Sequence, residues 1–245
     1  MGIKNLIKGI QPLYKRYRLY QEKKSYFKRF FPDKSELGAC GENTFLEYPQ
    51  CYDVPKNVFV EENVKLRSLL RIINSPTETV TIKKYTVVAS NCMIVTNNHC
   101  STVGIPQFLL GSSHIHDRSA DIVIEEDVWV GANVTLLPGA RLGRGCVVGA
   151  GTIVSKVVPP YSIVVGAPFR IIAKKFELED IIKHEEVLYP EEERLSRDEL
   201  ESLFNKYFEG KKTFGVNDEL TKEERDKVNL QKSIFGFVEP SHRII

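Results

Sequence analysis

Between Ile124 and Val158 the sequence repeats itself every six residues. Aliphatic side chains stand at Ile124, Val130, Leu136, Leu142, Val148 and Val154. Four positions after each comes a small or β-branched one: Val128, Val134, Ala140, Cys146, Thr152 and Val158. A helix repeats about every 3.6 residues and a half-buried strand every two, so neither accommodates this spacing. A chain that turns a corner every six residues does, because it places one aliphatic side chain per side inside a triangular coil. Three hexads close one turn. Gly131, Gly143 and Gly149 each follow an inward aliphatic residue, where a corner asks for backbone room or positive φ. Self-similarity at this fixed period indicates a solenoid of the parallel β-helix kind.

Outside this stretch the register is weaker. Val54, Val60, Leu66 and Ile72 read as inward aliphatics, with Val58, Val64 and Leu70 four further on. Asn74-Ser75-Pro76-Thr77 interrupts the pattern as a loop bulging from one corner. It resumes at Ile82, Val88 and Ile94, with Thr86, Cys92 and Asn98 in the second inward position, and then dissolves until Ile124. Residues 97–121 therefore leave the solenoid and return to it, and an irregular excursion of that length usually serves function. Pro159-Pro160 ends the repeat, Tyr161–Val165 reads as a last strand, and Gly166-Ala167-Pro168 as a turn into a helical tail. Ser196 with Glu199 and Thr221 with Glu224 are capping boxes. Helices are expected near 177–188, 197–208 and 222–234. The expected organisation is a basic segment and linker at 1–41, a solenoid at 42–166 with the loop 97–121 protruding, and a helical extension at 167–245.

Residues 1–31 carry nine Lys or Arg against Glu22 alone. Ile3, Leu6, Ile7, Ile10, Leu13, Tyr14 and Tyr17 recur at helical spacing, which predicts an amphipathic helix. Two roles fit it: peripheral contact with an anionic membrane surface, or an apolar cap over the solenoid's open end. The formal net charge of +2 gives no global field for nucleic acid. Five cysteines without paired spacing, no signal peptide and no apolar run near 20 residues lead us to expect a cytoplasmic protein with free thiols.

From Ile122 to Lys174 the chain reads VWVGANVTLLPGARLGRGCVVGAGTIVSKVVPPYSIVVGAPFRII at its heart. This block resembles the signature of the hexapeptide-repeat acyltransferases. Val95-Thr96-Asn97-Asn98-His99 with Pro106-Gln107-Phe108 is similar to two branches: polysaccharide and lipopolysaccharide O-acetyltransferases, and enzymes that acetylate chloramphenicol or streptogramins. The resemblance implies an all-β solenoid, a left-handed parallel β-helix, which is an exception to the right-handed crossover rule. It implies direct transfer of an acetyl group from acetyl-CoA to a hydroxyl or amine, in a homotrimer whose active sites lie between coils. His99 matches the catalytic histidine, a general base for a sugar hydroxyl. Trp129, Gly131, Ala132, Gly149, Ala150, Ser155, Lys156 and Arg170 match positions along the CoA groove. Asn98, His114 and His116 are candidates for the acceptor side. An O-acetyltransferase acting on a surface-polysaccharide sugar is expected. The alternatives are an antibiotic acetyltransferase, an N-acetyltransferase of an amino sugar, a metal-dependent hydratase and a scaffold without activity. No metal is expected, because a hydratase centre needs three converging imidazoles and His114 and His116 lie one residue apart on an irregular loop. No acidic partner for His99 is assignable from sequence.

Overall fold

The computed structural model describes residues 3–237, with side chains described from Pro12 onward. Short strands stack into three parallel faces. The first face runs through Val58–Val60, Val80–Ile82, Ile122–Ile124, Arg141–Leu142 and Val157–Val158, beginning at Ala39–Cys40. The second contains Lys65–Leu66, Val87–Val88, Trp129–Val130, Val147–Val148 and Ser162–Val165. The third contains Cys51–Tyr52, Arg71–Ile73, Met93–Val95, Thr135–Leu136 and Ile153–Val154. The chain visits the faces in that order on every turn, so each rung sits on the equivalent rung below. Ile124 lies between Ile82 and Leu142, Val130 between Val88 and Val148, and Leu136 between Ile94 and Val154.

All twelve residues of the two inward series from 124 to 158 are buried. The corners explain the six-residue period locally. Asp127, Asn133, Gly139, Gly145 and Gly151 all have positive φ, one per corner and six apart. Asp, Asn and Gly tolerate that conformation best, which is why they recur there. Gly131, Gly143 and Gly149 meet a different demand, since none has positive φ. A Cβ on Gly131 would fall 2.7 Å from the Ala150 nitrogen, and one on Gly143 2.5 Å from the Pro160 nitrogen. These glycines let one coil sit on the next.

Several expectations are corrected. Val54 is only half-buried, at the start of a short 3₁₀ turn (Pro55–Asn57), and Tyr52 fills the interior there. The linker placed at Pro32 to Gly41 already contains a rung, because Ala39–Cys40 pairs with Phe59–Val60. Asn98 does not point inward: it is exposed, and buried Thr96 is the last interior residue before the excursion. Residues Arg170–Lys174 form a strand antiparallel to Ser162–Val165, not the start of a helical tail.

Among the described residues, five α-helices decorate the coil. Helix α1 (Ile3–Phe30) precedes it, α2 (Gln107–Ser113) lies in the excursion, and α3 (Leu178–Leu188), α4 (Arg197–Leu203) and α5 (Lys222–Phe235) follow it. Both capping boxes are present, at the starts of α4 and α5. The described side chains of α1 from residues 12 to 29 are exposed, so that stretch does not cover the coil as a cap. The side chains of Ile3, Leu6, Ile7 and Ile10 fall outside the described residues. No described helix is long and apolar enough to cross a membrane.

A buried polar knot fastens α3 to the last coil. Arg144 reaches Glu126 at 3.1 Å and Glu185 at 2.8 Å, and lies 4.3 Å above the Tyr189 ring. Buried Tyr161 donates to Glu185 at 2.5 Å. Burial, reinforced by that carboxylate, holds the Tyr161 hydroxyl protonated far above the usual phenol range.

The interior predicts its own sensitivity. Leu136 is 1% exposed, and Leu136→Ala should cost about 2–5 kcal/mol of unfolding free energy in urea or guanidinium titration. A loss below about 1 kcal/mol would mean that the rungs are not close-packed.

Candidate functional site

The corner between the third and first faces carries the molecule's irregular chain. In successive coils it holds residues 53–57, 74–79 and the excursion 97–121. The excursion leaves and returns through an antiparallel pair, Asn97–Asn98 against Arg118–Ser119. Asn74 is tied down below it, since its side chain exchanges hydrogen bonds with the Val54 backbone at 2.8 and 3.0 Å. These loops enclose a polar cleft of about 610 Å³ whose walls include His99, His114 and Asp117. Asp53, Asn74, Ser75, Thr77, Asn97 and Ser119 complete its polar lining.

Asp117 organises the cleft. Its Oδ1 lies 2.9 Å from His99 Nδ1 and its Oδ2 2.9 Å from His114 Nδ1, while the two imidazoles stand 5.2 Å apart. The hydrogen bond to His99, then that to His114, holds the Asp117 carboxyl below the usual carboxylate range. Its stabilising contribution is complete above the unfolded carboxylate value and is lost only as pH falls through the lowered folded one. Asp117 is therefore ionised across the neutral range. A carboxylate on Nδ1 fixes the ring's orientation and leaves Nε2 as the basic nitrogen. His99 is 37% exposed at its side chain and Asp117 14%, so the imidazole reaches solvent while its partner is sheltered.

Two imidazole nitrogens and a carboxylate within 4.8 Å of one another are also a donor set that a transition-metal ion accepts. The third imidazole of a hydratase centre does not join them. His116 turns to Thr102, with Nδ1 3.2 Å from its hydroxyl, and is absent from the cleft wall. Asn98 is likewise outside it, and Asn97 takes its place.

The other expected residues occupy a different part of the coil. Trp129 is 55% exposed on the second face, directly above Val87 and below Val147. Gly131, Ala132, Gly149 and Ala150 stack at the corner between the second and third faces, where Gly131 donates to Val148 at 2.8 Å and Gly151 to Ala132 at 2.9 Å. Exposed Arg170 extends this column, paired with Val165. Ser155 and Lys156 are exposed on the same corner as His99 but two coils on. A single chain thus separates His99 from most of the expected groove. A second, mostly apolar groove of about 480 Å³ lies between α5 and the second face and contains none of these residues.

A parallel β-helix wound from six-residue repeats is an architecture found among acyl-transfer enzymes. The profile of the bacterial transferase hexapeptide (six repeats) matches residues 121–156. Galactoside O-acetyltransferase of Escherichia coli (strain K12) is 30% identical over 151 residues, 62% of this chain and 69% of that protein. WbbJ of the same strain, provisionally named a lipopolysaccharide biosynthesis O-acetyl transferase, is 34% identical over 125 residues, 48% of this chain and 60% of that one. Among solved structures, a galactoside acetyltransferase in complex with coenzyme A is 26% identical with a TM-score of 0.52, covering 66% of this chain and 74% of that one. The chain belongs to the hexapeptide-repeat transferases and is an acyltransferase. Membership implies that the coil is the left-handed parallel β-helix.

Asp117 is the cleft residue that sequence reasoning missed. Removing its charge while keeping its shape, in Asp117→Asn, should lower kcat about ten- to a hundredfold with little change in acetyl-CoA KM, because His99 loses its tautomer and orientation. An unchanged steady-state kcat would show that Asp117 plays no part in positioning the base.

Proposed function

We propose that the protein transfers the acetyl group of acetyl-CoA directly to a sugar hydroxyl of a surface polysaccharide, lipopolysaccharide or their precursor, with His99 as general base. The observation that carries this reading is the 2.9 Å contact of His99 with Asp117 inside a cleft lined by hydroxyls, amides and carboxylates. Such a lining suits an acceptor with several hydroxyls, each needing a partner when water is displaced. Acetyl-CoA supplies an activated thioester. His99 Nε2 takes the acceptor's proton as the new carbon–oxygen bond forms, holds it as imidazolium against Asp117, and returns it to the departing sulfur. The imidazolium is stabilised by a carboxylate that is already ionised, so no charge has to be created beside it. His114 shares that carboxylate and stands on the acceptor side.

Trp129, Gly131, Ala132, Gly149, Ala150 and Arg170 form the groove wall in this reading, with Ser155 and Lys156 near the nucleotide end. Lys156 and Arg170 are exposed cations for its phosphates. Because His99 and most of that wall lie at different corners of one chain, the complete site requires a neighbouring copy. A homotrimer of three-sided coils provides it, His99 of one copy facing the groove of the next. Light scattering at micromolar concentration should give the mass of three chains; a monomer would remove this site arrangement. The same reading gives residues 1–31 a peripheral contact with a membrane surface.

Thiol release from acetyl-CoA, measured against a panel of galactosides, other sugars, amino sugars, chloramphenicol and a streptogramin, tests the function. Turnover of a sugar hydroxyl that falls about 10²–10⁴-fold in His99→Ala is expected. Retained turnover in the variant would move the base elsewhere, and transfer to the antibiotics alone would replace the acceptor class.

A further inference from the structure

Helix α1 is 28 residues long, about 42 Å at 1.5 Å per residue. Its described part presents large apolar and aromatic side chains to solvent: Leu13, Tyr17 and Tyr20 are each more than 50% exposed, as are Tyr26 and Phe27. Leu13, Tyr17, Tyr20 and Phe27 follow one another at intervals of four, three and seven, which places them along one side of the helix. From residue 12 to residue 31 there are seven Lys or Arg and one acid, Glu22, and that acid is paired with Arg18 at 2.9 Å. Among its described side chains, those of the last two turns meet the coil. There Tyr26 and Phe30 line a crevice with Cys51 and Arg71, Phe31 stacks 5.6 Å from Tyr48, and Gln50 donates to the Phe30 carbonyl at 2.9 Å.

An aromatic–aliphatic stripe beside an unneutralised row of cations has two physical partners, further copies of the helix or an anionic surface. Self-association would bring like charges together along the whole length, which opposes it. It would also bury Lys24, which falls on the stripe between Tyr20 and Phe27. At a bilayer surface the same lysine extends its ammonium to the headgroups, and tyrosines suit the level where one end of the ring is wet.

The root of α1 is also close to the chemistry. Arg71 lines the crevice beside Tyr26 and Phe30 and pairs with Asp53 at 3.5 Å, and Asp53 lines the cleft that holds His99. A helix lying in the headgroup layer therefore brings the base of the coil, and with it the cleft, to the membrane surface. We infer that α1 is an anchor for an anionic bilayer surface and that it delivers the cleft to an acceptor sugar carried on a lipid. The acceptor half rests on the acetyltransferase reading; the anchor half does not.

The test uses the full chain and the variant Leu13→Ser/Tyr17→Ser/Tyr20→Ser, whose substituted side chains are solvent-exposed and so leave the coil intact. Co-sedimentation is measured with phosphatidylcholine vesicles, with and without phosphatidylglycerol. The wild-type chain should bind the anionic vesicles, lose that binding as salt is raised, and bind neutral vesicles poorly. The variant should bind anionic vesicles about tenfold more weakly. Acetyl transfer to dodecyl galactoside embedded in those vesicles should fall in step, while transfer to soluble methyl galactoside stays unchanged. Equal vesicle binding by wild type and variant overturns the anchor. So does a wild-type chain that ignores anionic vesicles while the variant alters the sedimentation mass, since the stripe would then join copies of the chain. Equal rates of the two proteins on the vesicle-borne galactoside, with binding lost in the variant, overturn delivery. Absence of transfer to either galactoside alongside normal vesicle binding counts against the galactoside acceptor and leaves the anchor standing.

Discussion

Everything in this molecule rests on the stacking of equivalent inward aliphatic side chains at the spacing of neighbouring strands. Ile82, Ile124 and Leu142 follow one another up the first face, and equivalent columns run inside the other two. Each strand is only two or three residues long in most rungs, far too short to be stable alone, and gains its stability from the rungs above and below. The corners make this possible by absorbing the turn in a single left-handed residue, so that the two inward positions of every hexad return to register. Where the corner residue is not Gly, Asn or Asp, as at Leu69, Tyr85 and Tyr161, the strained backbone is held by surrounding contacts. Tyr161 has the most extensive set: its ring is buried and its hydroxyl is engaged by Glu185.

The rigid column also determines where chemistry can occur. A straight-walled prism presents flat faces, which hold no deep cleft, so a cavity has to be built from chain that leaves the repeat. Three loops leave at one corner in adjacent coils, and the longest of them brings His99, His114 and Asp117 within hydrogen-bonding reach. The carboxylate is sheltered by the loop that carries it, whereas the imidazole it orients stays open to solvent. That division leaves an imidazole that is accessible but cannot rotate freely.

The repeat was legible because its spacing is incompatible with helix and ordinary strand, and every inward residue from 124 to 158 could be named before the fold was known. The edges of the repeat were less so. Val54 has the right residue type and spacing, yet a 3₁₀ turn removes it from the interior, and Tyr52 enters from the alternate position. Asn98 continues the arithmetic of the register by one step beyond the point where the backbone departs. His99 was found through a local motif, but Asp117 was not. Its link to His99 spans 18 residues of irregular chain with no period to follow, and only the antiparallel return of the excursion creates it. The separation of Trp129, Gly131, Ala132, Gly149 and Ala150 from His99 by the width of the coil required the three-dimensional winding.

Placing all the insertions at one corner has a consequence for how such a protein can diversify. Chain added there extends outward from a column whose hydrogen bonds and interior are already complete. The lining of the cleft and the construction of the column are therefore written largely in separate parts of the sequence. Residues 100–113, between the ends that carry His99, His114 and Asp117, can change in length and composition without disturbing a single rung, so the cleft can be reshaped by changing one loop while the spine carries on unaltered.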